Sequence, residues 1–152
     1  MWQTSRNIGQ TNSVRVHKFG GSSLADAACY HRVMEILKSQ TAPGDLAVVS
    51  AAGKTTNLLV RASRSDSDEG RQLLAELRRF HCRLIDESCR QPTSRELLQQ
   101  ALAADLAQID ELLTEEDGEQ RYNAVVGFGE LWSARLLAQL LRDDGVAAEH
   151  VD

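Results

Sequence analysis

Proline is nearly missing from this chain, with 2 residues in 152, and aromatic side chains make up only 5% of it. The first scarcity excludes collagen-like and proline-rich chains. The second, set beside Leu and Ala that fill a quarter of the sequence, predicts that helices dominate. Cysteine is scarce too: Cys29, Cys82 and Cys89 form an odd set with no framework spacing, which excludes a disulfide scaffold and fits a reducing cytoplasm. A positive excess is lacking. With 17 basic and 22 acidic residues the formal charge is −5, so no general affinity for nucleic acid or a membrane surface is expected. No stretch reads as a secretory signal or a spanning helix, and there is no internal repeat or low-complexity tract. What remains is 42% hydrophobic and 26% charged, an ordinary globular composition long enough to bury a core.

Residues 1–13 are polar and aperiodic and read as a flexible arm. Val14–Phe19 alternates apolar and polar residues, a strand pattern that Gly20-Gly21-Ser22-Ser23 ends. A helical pattern follows from about Ala25 to Ser39, with Ala28, Val33, Met34 and Leu37 on or near one face. Pro43-Gly44-Asp45 turns the chain into Leu46–Ser50, a continuous apolar run suited to a strand covered on both faces. Strand, helix and strand make a βαβ unit, hence a parallel sheet flanked by helices, an α/β architecture. A further helix starts near Thr55 and Thr56 and fades into a polar loop from Ser63 to Gly70.

The middle of the chain reads as a helical hairpin. Leu73, Leu77, Phe80 and Leu84 make one apolar stripe, and Leu98, Leu102, Ile109 and Leu113 the other, with a break at Gln91-Pro92. Thr93 followed by Glu96 fits a capping box. After the acidic linker Thr114–Gly118, Arg121–Asp144 reads as a last helix stopped by Gly145, and Val146–Val151 as the start of a third strand.

Three loops carry possible chemistry. Lys18-Phe19-Gly20-Gly21-Ser22-Ser23 lies between strand and helix, where two glycines let the backbone approach an anion and Lys18 adds a full positive charge. A plain tight turn explains the same residues. Ser50–Asn57 contains Gly53-Lys54-Thr55, which imitates the end of a Walker A loop, but Val48 stands where that motif needs its first glycine. Even so, the carboxyl end of a parallel strand is where open α/β sheets bind ligands. Gly127-Phe128-Gly129-Glu130 begins like a dinucleotide fingerprint, yet Trp132 occupies the last glycine position. Glu130, set among apolar neighbours, reads as a buried carboxylate in need of a cationic partner. His81, Cys82 and Cys89 have no zinc-site spacing, and Asp66, Asp68 and Glu69 no calcium-loop spacing.

In order and spacing, Val16–Leu24, the small-residue loop Ser50–Asn57, and Gly129-Glu130 with Ser133 resemble the signature motifs of the aspartate kinase family. The resemblance covers nearly the whole chain after the arm and is strongest to members that also carry a homoserine dehydrogenase. It implies a truncated amino-acid kinase fold, residues 14–152 being the amino-terminal part of the kinase domain. It implies transfer of the ATP γ-phosphoryl group, with Mg²⁺, to the β-carboxylate of L-aspartate, giving 4-phospho-L-aspartate for lysine, threonine and methionine synthesis. Lys18 is then the catalytic cation, and binds ATP with Gly20, Gly21 and Ser22. Ser23, Ser50, Thr56 and Glu130 bind L-aspartate, Glu130 through its α-ammonium. Lys54 departs from the small residue many relatives carry. The family's later Arg-Gly-Gly-Ser-Asp-like motif and adenine-binding segment have no counterpart here, so the chain alone is expected not to turn over. A non-catalytic fragment that self-associates, and a P-loop-like NTPase, stand as alternatives. A homo-oligomer is expected, without nucleic-acid or membrane partners.

Overall fold

The computed structural model describes residues 14–114 and 118–151. The expected arm and the centre of the acidic linker lie outside the described residues. Strand β1 (Val16–Phe19) runs through a short 3-10 turn, Gly21–Leu24, into helix α1 (Ala27–Gln40), and the chain returns as β2 (Leu46–Val49). Five helices follow: α2 (Thr55–Arg64), α3 (Ser67–Ser88), α4 (Pro92–Leu112), α5 (Gly118–Val126) and α6 (Phe128–Asp143). The strands pair in parallel, with Val16 opposite Leu46 and Phe19 opposite Val49.

Local chemistry sets the boundaries. Asp26 caps α1 by accepting the Cys29 amide at 2.8 Å, a bond that holds its carboxyl below the usual range. Asp66 does the same for α3, accepting the amides of Asp68 at 3.1 Å and Glu69 at 2.9 Å. Those acidic residues sit in the first turn, where the helix dipole favours them, so Ser67–Gly70 is helix and not the expected loop. Pro92 takes the first position of α4 and Gln91 its cap, which leaves Thr93 inside the helix, and no Thr93–Glu96 capping box forms. Gly145, at φ +82°, ends α6 as expected, with Val146 N–H donating to Leu141 O at 2.9 Å.

Asp45 ties the two strands at their entry. Its Oδ1 accepts the Arg15 amide at 3.0 Å, and its Oδ2 accepts both the Ala42 amide at 2.9 Å and the Arg15 guanidinium at 3.1 Å. Those amides, with Arg15, hold its carboxyl below the ordinary value.

The core lies between the helices. Leu24, Tyr30, Leu59, Leu77, Ile109 and Val125 are wholly buried in it, and both stripes of the α3–α4 hairpin feed it. Gly118–Asp143 is apolar and long enough to cross a membrane by length and composition, contrary to the expectation. Gly127 divides it into α5 and α6, however, and Leu136, Leu137, Leu140 and Leu141 are core residues.

Two expectations for the sheet are corrected. Val16, Leu46 and Val48 are 62%, 55% and 50% exposed: no described helix covers their face, and on the other face it is Phe19 and Val49 that pack against the core. Val146–Val151 forms no strand among the described residues; Ala148 O instead accepts from Arg142 Nη1 at 2.9 Å, and Val146 and Ala148 pack against the core.

Candidate functional site

The carboxyl ends of β1 and β2 set two loops side by side. Ser50 N–H donates to Phe19 O at 3.0 Å, carrying the ladder to the root of both loops. A Cβ on Gly20 would meet nothing within 4 Å, so the backbone there faces open space. At Gly21 a Cβ would fall 2.9 Å from Ala51 O, so the lack of a side chain lets the first loop lie against the second. Gly53 N–H closes that contact with a hydrogen bond to Gly21 O at 3.3 Å, from a left-handed backbone at φ +55°.

The third motif opens α6 and presses on the same loop. A Cβ on Gly129 would lie 2.6 Å from Ala51 Cβ. Glu130 is exposed, which corrects the expected buried carboxylate: Gly129 and Trp132 take the inward positions of the turn, leaving Glu130 to face outward. Its Oε1 accepts the Ala51 amide at 3.4 Å, a long bond.

The structure thus brings the three motifs together as a shelf. Lys18, Ser22, Ser23, Thr56 and Glu130 are exposed on or beside it, with Ser50, Gly20 and Gly21 partly covered. Lys18 shares the outward face of the sheet with Val48, its partner in register. Among the described residues Lys18 forms no ion pair. Cavities of about 20 Å³, against His81 and Trp132, and about 520 Å³, between α1 and the end of α6, lie elsewhere. The Walker A alternative fails on position, since Val48 is a ladder residue of β2. No cluster of three or more His, Cys, Asp or Glu able to hold a metal occurs among the described residues.

Behind the shelf runs a buried polar chain that spacing did not reveal. Thr55 Oγ1 and His81 Nε2 are 2.9 Å apart. The His81 ring meets Trp132 edge to face at 4.7 Å, and Trp132 Nε1 donates to Asp105 Oδ2 at 2.9 Å. Arg135 Nη1 donates to the same oxygen at 2.6 Å. Burial pushes His81 down to about 4, so its ring is neutral at pH 7. The signal available was position: His81 falls between Leu77 and Leu84 on the buried seam of α3. Tyr30 is pushed up to about 12 by burial, with Ser133 beside it, and burial likewise raises the Cys89 thiol to about 11. Cys29, Cys82 and Cys89 are all free.

Comparison with known proteins agrees with the motifs. The pattern of the amino acid kinase family matches residues 13–152. The bifunctional aspartokinase/homoserine dehydrogenase 2 of Escherichia coli is 40% identical over 141 residues, covering 91% of this chain and 17% of that protein. The chloroplastic aspartokinase 1 of Arabidopsis thaliana is 32% identical over 148 residues, covering 90% of this chain and 25% of that protein. The structure of E. coli aspartokinase III in complex with lysine and aspartate superposes with a TM-score of 0.76 at 26% identity, over 88% of this chain and 30% of that one. The same enzyme with aspartate and ADP gives 0.73 at 27% identity. This chain spans a third or less of these relatives. It has part of an amino-acid kinase fold, and it belongs to the amino acid kinase family, where it is similar to the aspartokinases.

Proposed function

We propose that this chain supplies the phosphate-binding and aspartate-binding loops of an aspartate kinase. The observation that carries the reading is the meeting of the three motif loops at the carboxyl ends of two parallel strands, with Gly21 and Gly129 permitting the close approach and Gly53 the left-handed turn between them. The β-carboxylate of L-aspartate is already ionised at neutral pH, since such groups titrate near 3.9, so the reaction needs no strong base. A carboxylate oxygen bonds to the γ-phosphorus, the bond from that phosphorus to the bridging oxygen breaks, and ADP leaves with the electron pair. The obstacle is repulsion between two anions, and catalysis consists of positioning and charge compensation.

ATP supplies the phosphoryl group, and the first loop suits its phosphates. Gly20 leaves room above the backbone, the 3-10 turn opens with the amides of Gly21 and Ser22, and Lys18 adds an uncommitted cation. Ser23, Ser50 and Thr56 offer hydroxyls to L-aspartate, and Glu130 an anion to its ammonium group. The described residues offer no cage for Mg²⁺, and no step here is routed through it.

The reading is tested by grafting residues 14–151 into the E. coli bifunctional enzyme in place of the matching segment and following aspartate-dependent ADP release. The graft is expected to work, and Lys18→Ala to slow it about a hundredfold or more. A graft that releases no ADP with aspartate, or one indifferent to Lys18→Ala, overturns the assignment.

A further inference from the structure

His81 lies on α3, outside all three motifs, yet it touches two of them. Its Nε2 is 2.9 Å from Thr55 Oγ1, the first residue of α2 and the neighbour of Thr56. Its ring packs at 4.7 Å on Trp132, two residues after Glu130. The preceding residue, Phe80, reaches the same corner: a Cβ on Gly53 would sit 3.5 Å from Phe80 Cζ. Thr55 and His81 are 1% and 3% exposed, so their bond lies away from bulk solvent.

We propose that His81 is a positioning residue, holding the Gly53–Thr56 corner and the Gly129–Trp132 turn in one fixed relation from behind the shelf. The inference rests on the aspartate-site reading above, and extends it to a residue that contacts no ligand. The hydrogen bond fixes the hydroxyl of Thr55, and with it the turn that presents Thr56. The ring contact fixes Trp132, which Asp105 holds from the other side at 2.9 Å. Loss of the imidazole nitrogen removes the one side-chain partner of Thr55 Oγ1 and loosens the corner it holds.

The test uses the full 152-residue chain as wild type, His81→Leu and His81→Gln. Amide hydrogen exchange is followed by NMR without ligand, and the affinity for L-aspartate is measured by titration. His81→Leu keeps bulk but cannot hydrogen-bond; His81→Gln can restore the bond to Thr55. Leucine is expected to speed exchange at Ala52–Thr56 about tenfold while Leu77 and Ile109 keep their protection, and glutamine to restore wild-type rates. Uniform loss of protection along α3 and α4, unchanged loop exchange in His81→Leu, or failure of glutamine to restore it would each overturn the proposal. L-aspartate affinity should fall in His81→Leu and return in His81→Gln. If the wild type itself ignores L-aspartate, loop exchange alone decides the role of His81, and the substrate assignment stands or falls with the graft.

Discussion

Gly129 lies directly against Ala51: a Cβ added to Gly129 would come 2.6 Å from Ala51 Cβ and 3.1 Å from Thr55 Cγ2. The missing side chain is what allows the third motif to reach the second. Alanine improves helix propensity by about 1 kcal/mol, but forcing a methyl into a filled site costs roughly 1–3 kcal/mol and shifts the backbone. Gly129→Ala should therefore destabilise the chain in urea unfolding and weaken L-aspartate binding. Gly127→Ala, where a Cβ meets nothing within 4 Å, should do neither.

The buried imidazole makes stability depend on pH. His81 titrates near 6.5 when unfolded and is pushed down to about 4 in the fold, so between those values the unfolded chain binds a proton that the folded chain refuses. Its contribution is complete above about 6.5 and is lost as pH falls toward 4, roughly 3 kcal/mol over the window. Urea midpoints should drop between pH 7 and pH 4.5, and His81→Gln should flatten that part of the profile. Parallel profiles for both proteins would refute the linkage.

Asp105 is 9% exposed and accepts from both Trp132 and Arg135 through one oxygen. Asp105→Ala strands the indole N–H and removes the guanidinium's carboxylate partner, for a loss of about 3 kcal/mol. Asp105→Asn retains an acceptor for Trp132 and should lose less. Thermal unfolding of both variants measures the difference.

The bare outer face of β1–β2, whose two edges have no strand partner among the described residues, predicts that the isolated chain self-associates. Sedimentation across a wide concentration range should show a dimer or larger species, and Leu46→Lys with Val48→Lys should restore a monomer. A wild-type monomer at every concentration would rule this face out as sticky.

Much of this architecture was legible because its causes are local. The β1–α1–β2 unit, the hairpin and the stop at Gly145 follow from periodicity and turn residues, and the corrected boundaries have local causes as well. Asp66 starts α3 early, and Pro92 displaces the expected cap on Thr93. The strand Leu46–Val49 is as apolar as one covered on both faces, and only the number of neighbouring layers, a tertiary fact, decides that one side stays open. The motif loops could be found by spacing and their meeting could not. It depends on Gly21 and Gly129 each lying against Ala51, far along the chain from both. The hydrophobic neighbours of Glu130 predict burial, whereas the turn of α6 faces it outward. His81 looked like core, and its bond to Thr55 spans 26 positions that no local pattern links.

The clamp at Asp45 acts on chemistry at the opposite end of the sheet. By binding Arg15 and Ala42 at the strand entries it sets how far β2 advances beside β1, and so puts Lys18 level with Val48. A slip by one residue would invert every side chain of a strand relative to its neighbour. The lysine would then turn to the helix side, and Gly21 would miss the carbonyl it lies against. Asp45 thus works as a gauge that sets the offset between the strands, and both loops inherit their alignment from a carboxylate that never approaches them.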